Sequence, residues 1–192
     1  MNVADEVLFK RHRLTVDDYH GMADAGLLAP DARVELIDGE IIDMPPMKSR
    51  HAFAVAMLNR DLVRVVGDAG LVACQTPLRL DRYSEPEPDF MVLRPKPEGY
   101  RDALPTAADV LLLIEVSDTT AGYDRRIKLP LYARHRVAEF WIVDLDGGVI
   151  QTFRRPGDAG YEDATTLEEA PEALAIAALP GVMVDLRTIP LR

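Results

Sequence analysis

The chain has 192 residues, 48% hydrophobic and 28% charged, with a formal net charge of −10 and one cysteine. Those values suit a single folded domain over 1–192 and exclude a low-complexity chain, while Cys74 alone excludes an internal disulfide or a zinc site built on several thiolates. The acidity argues against indiscriminate attraction to nucleic acid; the positive charge that could serve it is local, in Arg125, Arg126, Lys128, Arg134 and Arg136.

The longest apolar run, Val110 to Ile114, is too short to span a bilayer, and the first residues lack the basic start and apolar core of a signal peptide. A cytoplasmic protein with no membrane association is expected, with 1–13 as a flexible N-terminal segment. Thr15 followed by Asp18 has the form of a capping box, and Tyr19, Met22 and Ala23 recur at helical spacing before Gly26, which predicts a helix over 16–25. Segments 33–37 and 40–43 flank Asp38-Gly39, a dipeptide suited to positive φ, and predict a two-residue hairpin. Glu35 within it points either toward a site or toward solvent, and alternation alone leaves that open.

Ser49 is placed to cap a helix over 50–66, whose apolar positions recur at three- and four-residue steps; His51 falls in its first turn, where the ordinary reading is a solvated or hydrogen-bonded histidine. Strands are predicted at 71–74, with Cys74 as a small buried hydrophobe, and at 78–80, followed by a rigid polar loop over 81–87 that leads to Asp89. A strand at 90–93, an exposed connection over 94–108 and a wholly buried strand at 110–116 come next. A helix over 123–136 has Ile127, Leu131 and Tyr132 as its inner face, although Pro130 is tolerable only near a first turn or at a kink. Strands at 139–144 and 149–153 flank Asp146-Gly147-Gly148, with Trp141 in the core, and weaker strands follow at 161–165 and 182–186. The pattern predicts a mixed α/β (α+β) fold: one fully buried strand between two antiparallel pairs, flanked by helices.

Asp89 heads an apolar run and Glu115 interrupts one, and a charge in such surroundings is costly unless it is paired or holds a metal. Each acid alone reads as a strand-end cap or an arginine partner. If both end adjacent strands, their carboxylates lie close enough to share a proton or bind a cation, and hard oxygen ligands with open positions favour Mg2+ or Mn2+ over zinc. The backbone carbonyl of Val116 could add a ligand. Lys128 either reaches that space, where it would orient or activate a water against a phosphodiester, or makes an i,i+4 surface pair with Asp124.

Pro88-Asp89, Glu115-Val-Ser117, Lys128 in Tyr-Asp-Arg-Arg-Ile-Lys-Leu-Pro-Leu-Tyr132, Val34-Glu-Leu-Ile-Asp-Gly-Glu-Ile41 and Glu139-Phe-Trp-Ile-Val-Asp144 together resemble the Uma-two family. That family belongs to the restriction-endonuclease-like superfamily, whose signature is Pro-Asp followed by Asp/Glu-x-Lys, and the likeness runs from about Leu14 to Leu186. The resemblance implies a restriction-endonuclease-like core, a mixed central β-sheet flanked by α-helices with added β-hairpins. It also implies a Mg2+- (or Mn2+-) dependent endonuclease that hydrolyses DNA phosphodiester bonds, with Asp89 and Glu115 as metal ligands. Ser117 stands where the superfamily's lysine is expected, and Lys128 is the replacement. Glu35 matches an acid of the family's early hairpin and can complete the metal site; His51 and Gln75 are further supporting residues. A homodimer is expected by analogy with fold-mates. Two other readings compete: a catalytically weak or inactive nuclease-fold binding module, suggested by the acidity and the missing strand lysine, and a carboxylate-pair glycosidase, disfavoured by an aromatic content of only 6%.

Overall fold

The computed structural model describes residues 11–168 and 171–191. They gather into two compact units, Met1–Pro45 with Arg79–Pro86, and Pro46–Leu78 with Glu87–Arg192. Of the expected flexible segment, residues 1–10 lie outside the described residues.

In the first unit, α1 (Val16–Asp24) starts at Thr15, which accepts from Asp18 N while the Asp18 carboxylate takes the Thr15 N–H, the capping box read from the sequence. β1 (Val34–Ile37) and β2 (Glu40–Asp43) form the expected antiparallel hairpin, with Asp38 at φ 53° and Gly39 at φ 81°. Glycine is needed at 39 on two counts, since a Cβ there would also stand 2.6 Å from the Arg13 Cβ. Glu35 faces Ile42 across the hairpin and is 2% exposed, so the solvent-facing alternative is wrong. The expected strand at 78–80 does not form. Leu80 N donates instead to Ser84 O at 3.1 Å and closes a turn, after which Glu85 N donates to Leu36 O at 2.8 Å and bridges to β1. The buried Glu85 carboxylate meets His20 Nε2 at 2.6 Å and accepts from Arg79 Nε at 3.0 Å.

The second unit is built on a six-stranded sheet, in the order β3 (Leu71–Cys74), β4 (Phe90–Leu93), β5 (Val110–Ser117), β6 (Glu139–Asp144), β7 (Val149–Gly157), β8 (Gly160–Leu167). All pairs are antiparallel except β5 with β6, which are parallel. Three strands, not one, are buried along their whole length: β4, β5 and β6. Helices cover both faces, which is why these strands are apolar without alternation. A two-stranded ladder of β9 (Ala173–Ala175) and β10 (Met183–Asp185) completes the unit, β9 having given no sequence signal.

Alternation along β5 sorts the two faces. Leu112, Ile114 and Val116 join Phe90, Val92, Trp141 and Val143 in a core with Ala54, Leu58, Leu62 and Val66 of α2 (Ser49–Val66). Trp141 is fully buried there, as expected. α2 starts one residue earlier than its serine suggested: Lys48 is the N-cap and makes no side-chain cap bond. Tertiary bonds fix this end, because Arg50 donates to the carbonyls of Leu145 and Pro190 and pairs with Asp118 at 3.5 Å.

Over the other face passes the crossover that a parallel pair requires. The helix expected over 123–136 is broken into α3 (Ala121–Tyr123), a π turn Asp124–Lys128 and α4 (Leu129–Arg134). Pro130 is the cause: it has no N–H for an i−4 bond and its ring clashes with the i−4 carbonyl, and the chain responds with a wider turn in which Leu129 N reaches back five residues to Asp124 O. The extra residue rotates Ile127 outward to 40% exposure and Lys128 inward to 4%, while Leu131 and Tyr132 stay fully buried. Tyr132 packs edge-on against Phe140 of β6 at 5.0 Å.

Candidate active site

β4 and β5 pair with Phe90 opposite Ile114, and one step further the same register sets Asp89 opposite Glu115 on the crossover face. The two acids therefore stand side by side, as the sequence reading supposed. Both are buried, Asp89 at 9% and Glu115 at 5% exposure. They are tied through the backbone: Val116 N donates to Asp89 Oδ2 at 2.9 Å, and Asp89 N lies 3.4 Å from Glu115 Oε2.

Two residues hold Asp89 from other sides. Gln75, directly after β3, sits at φ 46°, donates its backbone N–H to Asp89 O at 3.0 Å and its side-chain Nε2 to Asp89 Oδ1 at 3.3 Å. A non-glycine residue in that region is strained, and such positions cluster at functional sites. His51, in the first turn of α2, brings Nε2 to 3.2 Å from Asp89 Oδ2. Neighbouring Cys74 is half-buried, not fully so, and its thiol pKa is raised, first by burial and then by the Asp89 charge.

Glu115 is met from the crossover. Lys128 Nζ donates to Glu115 Oε1 at 3.0 Å with both side chains almost wholly buried, so Lys128 lies in the interior and not at the surface, where the pairing with Asp124 had been the alternative. Tyr132 OH donates to the same oxygen at 2.7 Å. Asp124 turns inward too: its Oδ2 accepts from Ser117 Oγ at 2.5 Å and Thr120 Oγ1 at 3.2 Å. Burial raises the Asp124 pKa, against the Ser117 hydroxyl, the Lys128 charge and the Thr120 hydroxyl, with Asp89 adding to the rise. Next to it, Arg125 is committed to Asp144 at 2.7 Å and Gln151 at 2.6 Å. Of the expected basic cluster, Lys128, Arg125 and Arg136, which pairs with Asp158, are thus neutralised by carboxylates.

The second unit thus brings together Asp89, Glu115, Val116, Lys128, His51, Gln75 and Ser117; Glu35 belongs to the hairpin of the first unit. Tyr132, Asp124 and Thr120 were not singled out from the sequence as site residues. A signal for two of them was present: Asp124, Lys128 and Tyr132 are spaced at i, i+4 and i+8, one face of a helix.

The donor chemistry fits a hard divalent cation. Two carboxylates on neighbouring strands are oxygen donors in a buried setting, and among the described residues no group of three or more His, Cys, Asp and Glu is placed to hold a metal. Mg2+ takes one or two carboxylates and keeps several waters, whereas structural zinc asks for a fuller protein shell of sulfur and nitrogen. Among the described residues no helix is long and apolar enough to cross a membrane.

Comparison with known proteins bears on the fold and the family. The solved structure of a putative nuclease belonging to DUF820 from Anabaena variabilis superposes with a TM-score of 0.71 at 14% identity, covering 92% of this chain and 97% of that one. The type IIG restriction endonuclease BpuSI matches over 62% of this chain and 14% of its own at 16% identity, with a TM-score of 0.38, too low to carry an argument. No curated protein sequence matches. The first likeness establishes the fold, a restriction-endonuclease-like mixed sheet with few helices. The model of the family Uma2, described as putative restriction endonuclease, matches residues 16–187, and the chain belongs to that family.

Proposed function

We propose that the protein is a Mg2+- (or Mn2+-) dependent endonuclease that hydrolyses DNA phosphodiester bonds at the Asp89–Glu115 pair. The observation that carries this reading is Lys128 Nζ, 3.0 Å from Glu115 Oε1 although Ser117 holds the position of the superfamily's lysine. A lysine delivered from the crossover restores the acid, acid, lysine set, and that favours an active enzyme over an inactive module on the same scaffold. Asp89 and Glu115 would hold the metal with the backbone carbonyl of Val116. Within an antiparallel strand the N–H and C=O of one residue point to the same neighbour, and Val116 N–H already points to Asp89. When bound, the metal supplies charge stabilisation at the phosphoryl oxygens and a more acidic water.

The side chains have separate tasks. Asp89 is oriented by Gln75 and His51 so that its carboxylate cannot rotate away. Tyr132 holds Glu115 Oε1 from the apolar side. Lys128, charged and buried, orients the attacking water and offsets the negative charge that grows on the phosphate. DNA as substrate belongs to the same reading and is supported by the family resemblance; a homodimer as working assembly is proposed by analogy with fold-mates. The family match spans residues of both units, which supports a single restriction-endonuclease-like domain over 1–192.

The test is cleavage of supercoiled, linear and single-stranded DNA with Mg2+ or Mn2+. Asp89→Ala, Glu115→Gln and Lys128→Met are each expected to lose about 100-fold or more of the rate. Equal cleavage by wild type and Asp89→Ala would remove the assignment.

A further inference from the structure

The π turn is tethered at both ends to the same face of β5. Asp124 opens it and accepts from Ser117 Oγ at 2.5 Å; Lys128 closes it and donates to Glu115 Oε1 at 3.0 Å. Ser117 and Glu115 are two residues apart on one strand and so point the same way. Thr120 adds a second hydroxyl to Asp124 Oδ2 at 3.2 Å, from just before α3. Ser117 is fully buried and Asp124 is 4% exposed, so neither bond is exchanged freely with water. A carboxylate buried at that depth is costly unless its oxygens are hydrogen-bonded, and the Ser117 and Thr120 hydroxyls supply those bonds.

We propose that Ser117 and Asp124 are positioning residues for Lys128: the residue in the superfamily's lysine position anchors the turn that delivers the substitute lysine. The wider ring turns the chain less per residue than an α-helix does, so over the four steps from Asp124 a regular α-helix would carry Lys128 to a different azimuth. The hydroxyl–carboxylate bond fixes where the turn begins, Pro130 forces its wider ring, and the two together fix where it ends. The use of the lysine rests on the endonuclease reading above; its placement does not.

The sequence has four lysines, Lys10, Lys48, Lys96 and Lys128, so their reactivity toward a small acylating reagent is readable peptide by peptide. In the full-length wild type, Lys128 should label most slowly of Lys48, Lys96 and Lys128. In Ser117→Ala and Asp124→Ala it should label about tenfold faster or more, with Lys48 and Lys96 unchanged, and Ser117→Thr, which keeps the hydroxyl, should restore slow labelling. The DNA cleavage rate at saturating substrate should fall in the same order, with KM unchanged. If Asp124→Ala fails to fold by circular dichroism, the Ser117→Ala and Ser117→Thr pair decides, since only the threonine variant keeps the hydroxyl. Wild-type labelling of Lys128 in Ser117→Ala overturns the proposal. A wild type that cleaves no DNA while Lys128 still responds to Ser117→Ala removes the endonuclease reading and leaves the positioning role standing.

Discussion

Glu115 Oε1 receives two donors, the ammonium of Lys128 and the phenol of Tyr132, on a strand where Leu113 is paired with Phe140 and Glu115 itself with Ile142. A buried ion pair of this kind contributes little net stability, but removal of one partner leaves the other charge without compensation. Lys128→Met should therefore cost about 3–5 kcal/mol in urea unfolding, and adding Glu115→Gln should return part of that loss. Tyr132→Phe keeps the ring packed on Phe140 and should cost about 1–2 kcal/mol. At this scale the sequence was informative about what is expensive. Asp89 and Glu115 stood out because apolar runs surround them, and their neighbourly placement follows from strand pairing. Lys128 could not be placed, because a lysine four residues after an aspartate has the same spacing whether it lies on the surface or in the interior.

The crossover element explains that ambiguity. Helical periodicity assumes a constant turn, and Pro130 breaks the assumption just where the lysine stands, so Ile127, expected on the inner face, turns outward while Lys128 stays inside. Pro130→Ala restores the missing N–H and removes the ring. The segment should relax toward a continuous α-helix, with stability changed by no more than about 1 kcal/mol in a urea titration. The proposed DNA cleavage should nevertheless fall about 100-fold, since the lysine is displaced from Glu115. Elsewhere the elements were legible where side-chain chemistry is local. The capping box of α1 and the Asp38-Gly39 turn of β1–β2 needed no tertiary context. The expected strand at 78–80 failed because its polar backbone found partners in a turn, and the start of α2 was displaced because Arg50 anchors it to distant carbonyls.

Across the molecule, net charge and pH act together. Arg60, then the Thr188 hydroxyl and Arg64, hold the Asp61 carboxyl below its usual range, Thr15 does so for Asp18 and Arg187 for Asp185. A carboxyl lowered by folding adds stability that is present above its unfolded pKa and is lost as pH falls through the folded value. The urea midpoint should thus drop as pH is taken below about 4, and Asp61→Asn should make the drop shallower. Asp124 has the opposite sign. Its carboxyl is raised in the folded protein, so ionising it as pH rises above its unfolded value reduces stability, and Asp124→Asn should flatten that part of the profile. Sheet order and the parallel β5–β6 pair were not readable from one sequence, because β4, β5 and β6 are apolar on both faces and pair equally well on paper.

One irregularity in that sheet reaches further than its size. Between Val92 and Leu93 the β4–β5 register shifts: Val92 pairs with Leu112 but Leu93 with Val110, so Leu111 is an extra residue on β5. Had the pairing on the Leu93 side run on unbroken, Asp89 would stand opposite Ile114, and its carboxylate and that of Glu115 would project from opposite sides of the sheet. The bulge thus works like a frame-setting insertion. One inserted leucine, four positions before Glu115, decides whether two acids meet at all, and a copy of the chain folded in the unshifted frame would carry every residue of the site without having one.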